Sequence, residues 1–199
     1  MKIGLHTKRK KQAEETKSRI IKSAFELMEE KGYDSLTIVD ISRRAGVSVG
    51  TFYHHFQAKL DILAETLRMA DDYYLSVCLP SITAIIAGER IIEFFDYYAR
   101  FVIRQGINNA RVIYNPHMEF LTSEDRPLFR IVEEMIASGQ KESTIKLDIT
   151  PKELANLLVI GARGVAFDWA AHKGKYDLEE KMHHYMELLV SSIKIQHPV

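Results

Sequence analysis

The sequence has little of what builds crosslinked, fibrous or membrane-embedded proteins. Its 199 residues include one cysteine, Cys78, which excludes an intramolecular disulfide and a cysteine-based zinc cluster. Five prolines and ten glycines, beside 46% hydrophobic residues, exclude a fibrous or a disordered chain. The longest candidate for a membrane span, residues 82–87, is far shorter than the roughly 20 consecutive apolar residues such a span needs. No apolar stretch follows the basic N-terminus as it would in a signal peptide, so we expect a soluble intracellular protein without a membrane partner.

The formal net charge of zero conceals two parts of opposite charge. Residues 1–60 contain 12 Lys or Arg and 7 Asp or Glu, whereas residues 61–199 contain 15 basic and 20 acidic residues. The first eleven residues carry five basic side chains and no acidic one. This asymmetry is typical of a nucleic-acid-binding end joined to a part with another task. Taken alone, the basic arm over residues 1–12 also fits a solvated tail.

Three helices are predicted in the first 56 residues. Apolar residues at spacings of three and four predict a helix over 13–31. Thr37 is a good N-cap for a short second helix that Gly46 ends, and Ser48 caps a third helix over residues 49–56. Two short helices joined by a tight turn after a longer one indicate a helix-turn-helix DNA-binding unit. A generic helical hairpin is the alternative.

Residues 32–62, GYDSLTIVDISRRAGVSVGTFYHHFQAKLDI, resemble the N-terminal domain of TetR-family transcriptional regulators. The string TFYHHF at residues 51–56, followed by Lys59, carries most of the resemblance. Ala58 departs from the family pattern, which has a capping Ser, Asp or Asn there, so Gln57 or water has to supply the cap unless it is weakened. The resemblance implies an all-α homodimer of about nine helices. Its domains would be a helix-turn-helix DNA-binding domain, 1–58, and a helical ligand-binding and dimerisation domain, 59–199.

In a protein of this kind, the third helix lies in the major groove with its first turn facing the base edges. Val49 and the methyl group of Thr51 suit a thymine methyl, Gly50 permits close approach of the backbone, and His54 can donate to guanine or to a phosphate. Side chains around this helix are expected to contact phosphates: Thr37, Arg43, Ser48, Tyr53, His55 and Lys59.

Three of these expectations have alternatives. Arg43 and Arg44 are adjacent on one helix, so at most one of them faces DNA. His55 has a structural role as its alternative, in which it bonds the backbone and packs beside Tyr53. The basic arm either adds counterion release or enters a minor groove as a flexible segment.

Helical signals continue through the rest of the chain. The predicted helices cover residues 59–77, 89–105, 125–138 and 151–173, with a last one after Asp177. Gly139 is expected to begin a polar loop, and Thr150 and Asp177 to cap the last two helices. Because the helix over 151–173 is apolar nearly all round, we expect the last two helices to form a dimer interface, with a monomer core as the alternative. The interface residues expected are Leu158, Ala162, Val165, Trp169, Met182, Met186 and Leu189.

Aromatic residues are concentrated between residues 73 and 120. They indicate either a hydrophobic core or a pocket for a mostly apolar ligand. Arg163, in an apolar stretch, needs either a protein carboxylate such as Asp96 or Glu119 or an acidic ligand. The residues expected to line the pocket are Tyr74, Phe94, Tyr98, Phe101, Tyr114, Met118, Arg163 and Phe167. His117 and Glu119 are close enough to suggest metal ligands, but no other spacing supports them, and the adjacent His183 and His184 point in different directions on a helix. Neither a metal nor a cofactor is expected.

Three functions are compatible with these patterns. The first is a cytoplasmic, bacterial nucleoid-associated transcriptional regulator, a homodimeric repressor that a small, largely apolar ligand releases from a palindromic DNA operator. The second is a DNA-binding protein of the same fold without a small-molecule effector. A small helical enzyme is the third, but the sequence offers no nucleophile placed beside a base, no metal triad and no phosphate-binding loop. We therefore expect a regulator and not an enzyme.

Overall fold

A computed structural model describes residues 3–113 and 125–195, and it is all-α over these ranges. The helices are α1 (Ile3–Lys31), α2 (Ile38–Ala45), α3 (Val49–His55), α4 (Lys59–Tyr73), α5 (Ala87–Gln105), α6 (Ile107–Ile113), α7 (Pro127–Lys141), α8 (Pro151–Ala171) and α9 (Leu178–Ile193). β-pairing in the described residues is limited to one bridge between Ile145 and Lys194. The predicted fold class, with about nine helices, is confirmed.

The chain divides into two compact units, Met1–Thr66 and Leu67–Val199, and α4 carries residues of both. Sequence analysis placed the division at 58/59, where α4 begins. In the first unit α2 packs on α1 and α3 packs on α2. The large side chains that are fully buried in this unit are those of Ile20, Phe25, Ile41, Phe52, Ile62 and Leu63.

The helix ends in the first unit follow the sequence signals closely. The Thr37 hydroxyl accepts from the backbone N–H of Asp40, and the Asp40 carboxylate accepts from that of Thr37, which makes a capping box. Gly46 ends α2 at φ +67°, a conformation that glycine adopts without a Cβ penalty. Ser48 caps α3 by accepting from the backbone N–H of Thr51. These predicted caps are confirmed.

The start of α1 differs from the expectation. The helix begins at Ile3 instead of residue 13, so the segment expected as a flexible basic arm is helical from Ile3 onward. Residues 8–15, KRKKQAEE, are strong helix formers but are all polar except Ala13. A search for an apolar stripe cannot detect such a segment, and for this reason the prediction was wrong.

In the second unit, α5 packs against α7 and α9, and α8 packs against the same two helices. The core includes Ile91, Phe94, Phe95, Leu128, Ile136 and Ile145, all fully buried. Gly139 lies within α7 and does not begin a loop as predicted. A Cβ at Gly139 would lie 2.5 Å from Ile145 Cδ1 and 2.7 Å from Ala87 Cβ, so this glycine allows close packing. The predicted caps at Thr150 and Asp177 are confirmed.

The second unit contains an irregular turn and one long apolar helix. After Tyr73, α4 continues through a π-helical turn, Tyr74–Cys78, and a short α-helical turn, Leu79–Ser81. In the π-helical turn, the backbone N–H of Leu79 donates to the carbonyl of Tyr74 five residues back. By length and composition α8 would suffice to cross a membrane, although the sequence was expected to hold no such segment, and half of its apolar window is buried within the protein.

Candidate functional site

The helix α3 presents two different faces. Phe52 is fully buried and Phe56, at its C-cap, is nearly so, and these two rings fix the helix to the unit. On the opposite side Val49, Tyr53 and His54 are exposed. Of the residues predicted to read bases, Val49 and His54 are thus exposed and Thr51 is half-buried, whereas the exposed Tyr53 was predicted to contact phosphate. Gly50 lies in the first turn of this helix and is exposed too.

Hydroxyl groups at the helix starts are held in caps. The hydroxyl oxygens of Ser48 and Thr51 lie 2.9 Å apart, and the Thr37 hydroxyl donates to the Asp40 carboxylate. These bonds fix the first turns of α2 and α3, whose leading backbone N–H groups are the usual partners of a phosphate. Phosphate contacts by Ser48 and Thr37 stay predictions.

The structure distinguishes the two adjacent arginines. Arg44 makes a bidentate ion pair with Glu30, at 2.9 and 2.7 Å, and lies 3.5 Å from Glu26. Arg43 has a side chain that is 77% exposed, with Asp40 3.8 Å away. Arg44 therefore joins α2 to α1, whereas Arg43 is available to a ligand outside the protein.

Lys59 requires a correction. Its ammonium group donates to three backbone carbonyls, those of Tyr33 at 2.8 Å, Leu36 at 3.3 Å and Asp34 at 3.4 Å. It also lies 4.3 Å from the centroid of the Tyr33 ring. An ammonium has three hydrogens, and all three are taken inside the unit. Lys59 therefore holds the α1–α2 connection, and we withdraw it from the predicted phosphate contacts.

His55 lies at the end of α3 and is half-buried. Burial lowers the pKa of His55, and the charges of His54 and Lys17 lower it further. This shift disfavours the charged imidazole that a phosphate would prefer. Its ring packs beside those of His54 and Phe56.

The cap of α4 comes from a residue that sequence analysis did not name. The Asp61 carboxylate accepts from the backbone N–H groups of Gln57, at 2.7 Å, and Ala58, at 2.9 Å. Asp61 therefore supplies the reciprocal half of a capping box from within the first turn of α4, whereas Ala58 offers no side-chain acceptor to the first-turn N–H groups, in keeping with the expected weakened cap. An acidic residue three positions after the cap position is the sequence signal that predicts this arrangement.

We expect Asp61→Ala to lower the free energy of unfolding by about 0.5 to 2 kcal/mol, because two backbone donors lose their acceptor. Urea unfolding followed by circular dichroism measures the difference. Adding Ala58→Ser to this variant should restore part of the loss, since serine is a good N-cap. An unchanged unfolding midpoint in Asp61→Ala would contradict the assignment.

In the second unit, four predicted pocket residues lie together. Tyr74, Phe94, Tyr98 and Phe101 are all buried. The ring of Tyr74 lies 5.5 Å from Phe94, 6.0 Å from Tyr98 and 5.9 Å from Phe101, measured between centroids. We call these four rings the aromatic cluster; the other three each pack against Tyr74, the first residue of the π-helical turn. Burial raises the pKa of Tyr74 well above its usual value, so its hydroxyl stays protonated.

The structure does not place the other predicted pocket residues in this cluster. Phe167 is 55% exposed on the outer side of α8, so its assignment to the pocket is corrected. Arg163 is half-buried, with its guanidinium 5.0 Å from the centroid of the Phe129 ring. Asp96, proposed as its partner, accepts from His183 at 3.0 Å. Tyr114, Met118, His117 and Glu119 lie outside the described residues.

The predicted dimer interface also requires correction. Six of its residues, Leu158, Ala162, Val165, Trp169, Met182 and Met186, are buried within one chain, and Leu189 is half-buried. A Cβ on Gly161 would lie 2.7 Å from Leu189 Cδ1, so α8 and α9 of the same chain are closely packed. These residues therefore form the core between α8 and its own neighbours.

A different apolar surface remains exposed on these two helices. On α8, Leu157, Ile160, Gly164 and Phe167 recur at spacings of three and four and are all exposed. Tyr185 and Leu188 are the large exposed hydrophobic side chains of α9. We call these six residues the outer face. The signal was present in the sequence, because a helix that is apolar all round carries a second stripe, but the pattern did not tell which stripe faced inward.

Titratable side chains in the described ranges do not form a metal centre. No group of three or more His, Cys, Asp or Glu residues there has an arrangement that would hold an ion. The Cys78 thiol is buried, and burial raises its pKa to about 12, so it stays protonated.

Comparisons with known proteins agree with this architecture. Residues 20–66 match the family model described as bacterial regulatory proteins, tetR family. The HTH-type transcriptional regulator SrpR of Pseudomonas putida is 43% identical over 56 residues, which are 28% of this chain and 26% of SrpR. IcaR of Staphylococcus aureus, the HTH-type negative transcriptional regulator of the biofilm operon icaADBC, is 28% identical over 153 residues, 72% of this chain and 78% of IcaR.

Solved structures extend the likeness to nearly the whole chain. The fatty acid degradation regulator FadR from Bacillus halodurans superposes with a TM-score of 0.76 at 17% identity, covering 92% of this chain and 97% of that one. The transcriptional regulator FadR from Bacillus subtilis, solved in complex with stearoyl-CoA, gives a TM-score of 0.73 at 22% identity over 88% and 98%. At these identities the likeness shows a shared fold.

Proposed function

Because the chain belongs to the TetR family of transcriptional regulators, we propose that it is a homodimeric repressor that a small, largely apolar ligand releases from a palindromic operator. The observation that carries the proposal is the outer side of α3. Val49, Tyr53 and His54 are exposed there, on a helix that Phe52 fixes from behind. The site of action would be the bacterial nucleoid, in the cytoplasm.

The roles proposed at the DNA follow from the geometry of this helix. Val49, Thr51 and His54 would face base edges, and Gly50 would let the backbone approach. Tyr53 and Arg43 are exposed and would bind phosphates, together with the leading N–H groups of α2 and α3.

Dimerisation is proposed through the outer face. In a symmetric dimer the same surface meets itself, so α8 and α9 of both protomers would form a four-helix arrangement. The exposed Gly164 supports this, because a glycine on the surface permits close approach of a partner helix; a Cβ there would meet nothing within 4 Å. A palindromic operator needs two recognition helices at about 34 to 36 Å or a multiple of that distance, which a dimer supplies.

The ligand is proposed to bind at the aromatic cluster. Tyr74 packs against the other rings of the cluster, so an apolar ligand would enter beside Tyr74 and separate it from them. A neighbour of the same fold, FadR from Bacillus subtilis, was solved with stearoyl-CoA, which makes long-chain acyl compounds the first class to test. Arg163 is proposed to bind an acidic group of such a ligand. Tyr114 and Met118 remain proposed lining residues from the sequence.

The two activities would be coupled through α4. Tyr74 of the aromatic cluster directly follows α4, which starts at Lys59 next to α3 in the chain. A ligand that favours a different tilt of α4 would change the spacing of the two recognition helices. A coupling free energy of about 1 to 3 kcal/mol would weaken operator binding roughly 5- to 150-fold.

Selection of bound sequences from a random DNA pool tests the proposal first. We expect a palindrome that binds one dimer with a steep dependence of affinity on salt. No enriched sequence, with or without cell extract, would overturn the DNA-binding function. An operator affinity that stays unchanged across a panel of acyl compounds and other apolar ligands would favour the alternative without an effector.

We expect His54→Ala to change base preference at one position of each half-site by about 1 to 3 kcal/mol, because a side chain that reads a base edge is removed. Tyr53→Phe is the matched variant on the same helix face, and it should weaken binding to all sequences similarly. Repeating the selection with both variants measures the difference. An intact preference profile in His54→Ala would refute base reading by this residue.

A further inference from the structure

The first turns of α1 extend beyond the part that matches the family. The match begins at residue 20, whereas α1 begins at Ile3. From Arg9 to Glu15 every residue is exposed, so no side of this stretch is covered by the protein. We call Ile3–Glu15 the N-terminal extension. It is a regular helix without a packing role over its exposed stretch, and this points to a role outside the fold.

The C-terminal end of the extension lies beside the last turn of α3. Lys17 lies 5.9 Å from the centroid of the Phe56 ring, which caps α3, and makes an ion pair of 2.6 Å with Glu65. The pKa of His55 is lowered by burial, then by the charge of His54, then by that of Lys17, and it is raised by the charge of Glu14. Residues 14–17 are therefore neighbours of the last turn of α3, and the extension leads away from that point.

The charge of the extension is positive where it lies farthest from the core. Arg9, Lys10 and Lys11 are exposed, and the first turn of α1 has no acidic residue. The like charges of these neighbouring side chains repel one another, and a polyanion bound there would remove this repulsion.

We propose that the N-terminal extension is a helical arm that binds the backbone phosphates of duplex DNA flanking each half-site. The inference rests on the proposed DNA-binding function and deepens it by adding a contact outside the helix-turn-helix. Charge complementarity and continuity with the end of α3 both favour duplex DNA as the occupant. The sequence predicted a flexible arm in the minor groove as one possibility, whereas the arm proposed here is a helix that lies on the phosphates.

The length of the helix sets how far this contact extends. At about 1.5 Å per residue, Arg9 lies about 7 Å along the helix axis from Glu14, which equals about two base-pair steps. Successive helical residues point about 100° apart, so one or two of the three cations face the same phosphate backbone. A dimer would then add two to four phosphate contacts to those of the recognition helices.

The test compares the full-length protein with the triple variant Arg9→Gln, Lys10→Gln, Lys11→Gln on the selected operator. Glutamine keeps helix propensity, so the extension should stay helical. The control variant, Lys141→Gln, Lys173→Gln, Lys175→Gln, removes the same charge from the second unit. Each protein is titrated between 50 and 200 mM salt on a duplex that ends at the half-sites and on one that is about eight base pairs longer at each end.

We expect the wild type and the control to bind the longer duplex more tightly, and the triple variant to bind both equally. On the longer duplex, the slope of log affinity against log salt concentration should be smaller for the triple variant than for the wild type by about 2 to 4. Across this salt range the triple variant should therefore lose about 15- to 250-fold less affinity than the wild type. Equal binding of the two duplexes by the wild type, with an unchanged slope in the variant, would overturn the extension but leave the operator function intact. No binding of any duplex by the wild type would overturn both.

Discussion

We expect the Phe167→Asp variant to be a monomer that no longer binds its operator at concentrations where the wild type is bound. Phe167 is the largest apolar side chain of the outer face on α8, and it is 55% exposed in the single chain. Burying one such side chain contributes about 1.5 to 3 kcal/mol, and a symmetric interface contains it twice. Losing about 4 kcal/mol raises the dimer dissociation constant about 1000-fold, before the cost of placing two carboxylates together. Sedimentation equilibrium measures this directly.

A matched control separates the outer face from apolar surface in general. Leu147 is 71% exposed in the connection between α7 and α8, away from the outer face, so Leu147→Asp should remain dimeric. The residues of the interface first predicted behave differently again. Met186 is fully buried inside the chain, so Met186→Asp should unfold the unit instead of separating intact protomers. A dimeric Phe167→Asp protein with normal operator affinity would show that the interface lies elsewhere.

Truncating the aromatic cluster should produce a large loss of stability. Phe94 is fully buried and touches both Tyr74 and Phe95. We expect Phe94→Ala to lower the free energy of unfolding by about 3 to 5 kcal/mol, because the surrounding helices relax only partly around the cavity. Urea unfolding followed by circular dichroism gives the value. Ile85→Ala, at a side chain that is 84% exposed, is the control and should change stability by less than about 0.5 kcal/mol.

This measurement also decides between the two interpretations of the cluster. Removing a ring that completes a packed core should lower the free energy of unfolding by the full amount of about 3 to 5 kcal/mol. A ring that lines an open pocket has fewer contacts to lose, and a cost near 1 kcal/mol would then be expected. A small loss in Phe94→Ala would therefore contradict the closed packing described here and favour a pocket that is open without ligand.

The local features of this fold could be predicted from sequence because they depend on neighbouring residues. The caps at Thr37, Ser48, Thr150 and Asp177 each need one side chain and a backbone N–H three residues away. The buried and exposed sides of α3 followed from Phe52 and Phe56. The cap of α4 was missed only because the acceptor, Asp61, lies after the cap position and not at it.

Features set by tertiary packing could not be predicted in the same way. On α8, Leu158 and Leu157 are adjacent leucines, yet one is buried and the other exposed, and the choice depends on where α7 and α9 lie. In the sequence Gly139 has the pattern of a helix end, but in the structure it lies within α7, where the absence of a Cβ lets Ile145 pack closely. Lys59 is a basic residue of the kind that contacts DNA, but its ammonium group donates to backbone carbonyls 23 to 26 residues earlier in the chain. Such contacts become visible only when distant segments are placed together.

The π-helical turn after α4 has a consequence for comparing this chain with its relatives. A turn closed by bonds five residues apart holds one residue more than an α-helical turn. Tyr74–Cys78 therefore contains an extra position relative to any relative whose helix is α-helical throughout. A correct alignment must open a one-residue gap within this segment. An alignment without the gap would pair each later residue of the helix with one about 100° away around the axis, and buried positions would be compared with exposed ones.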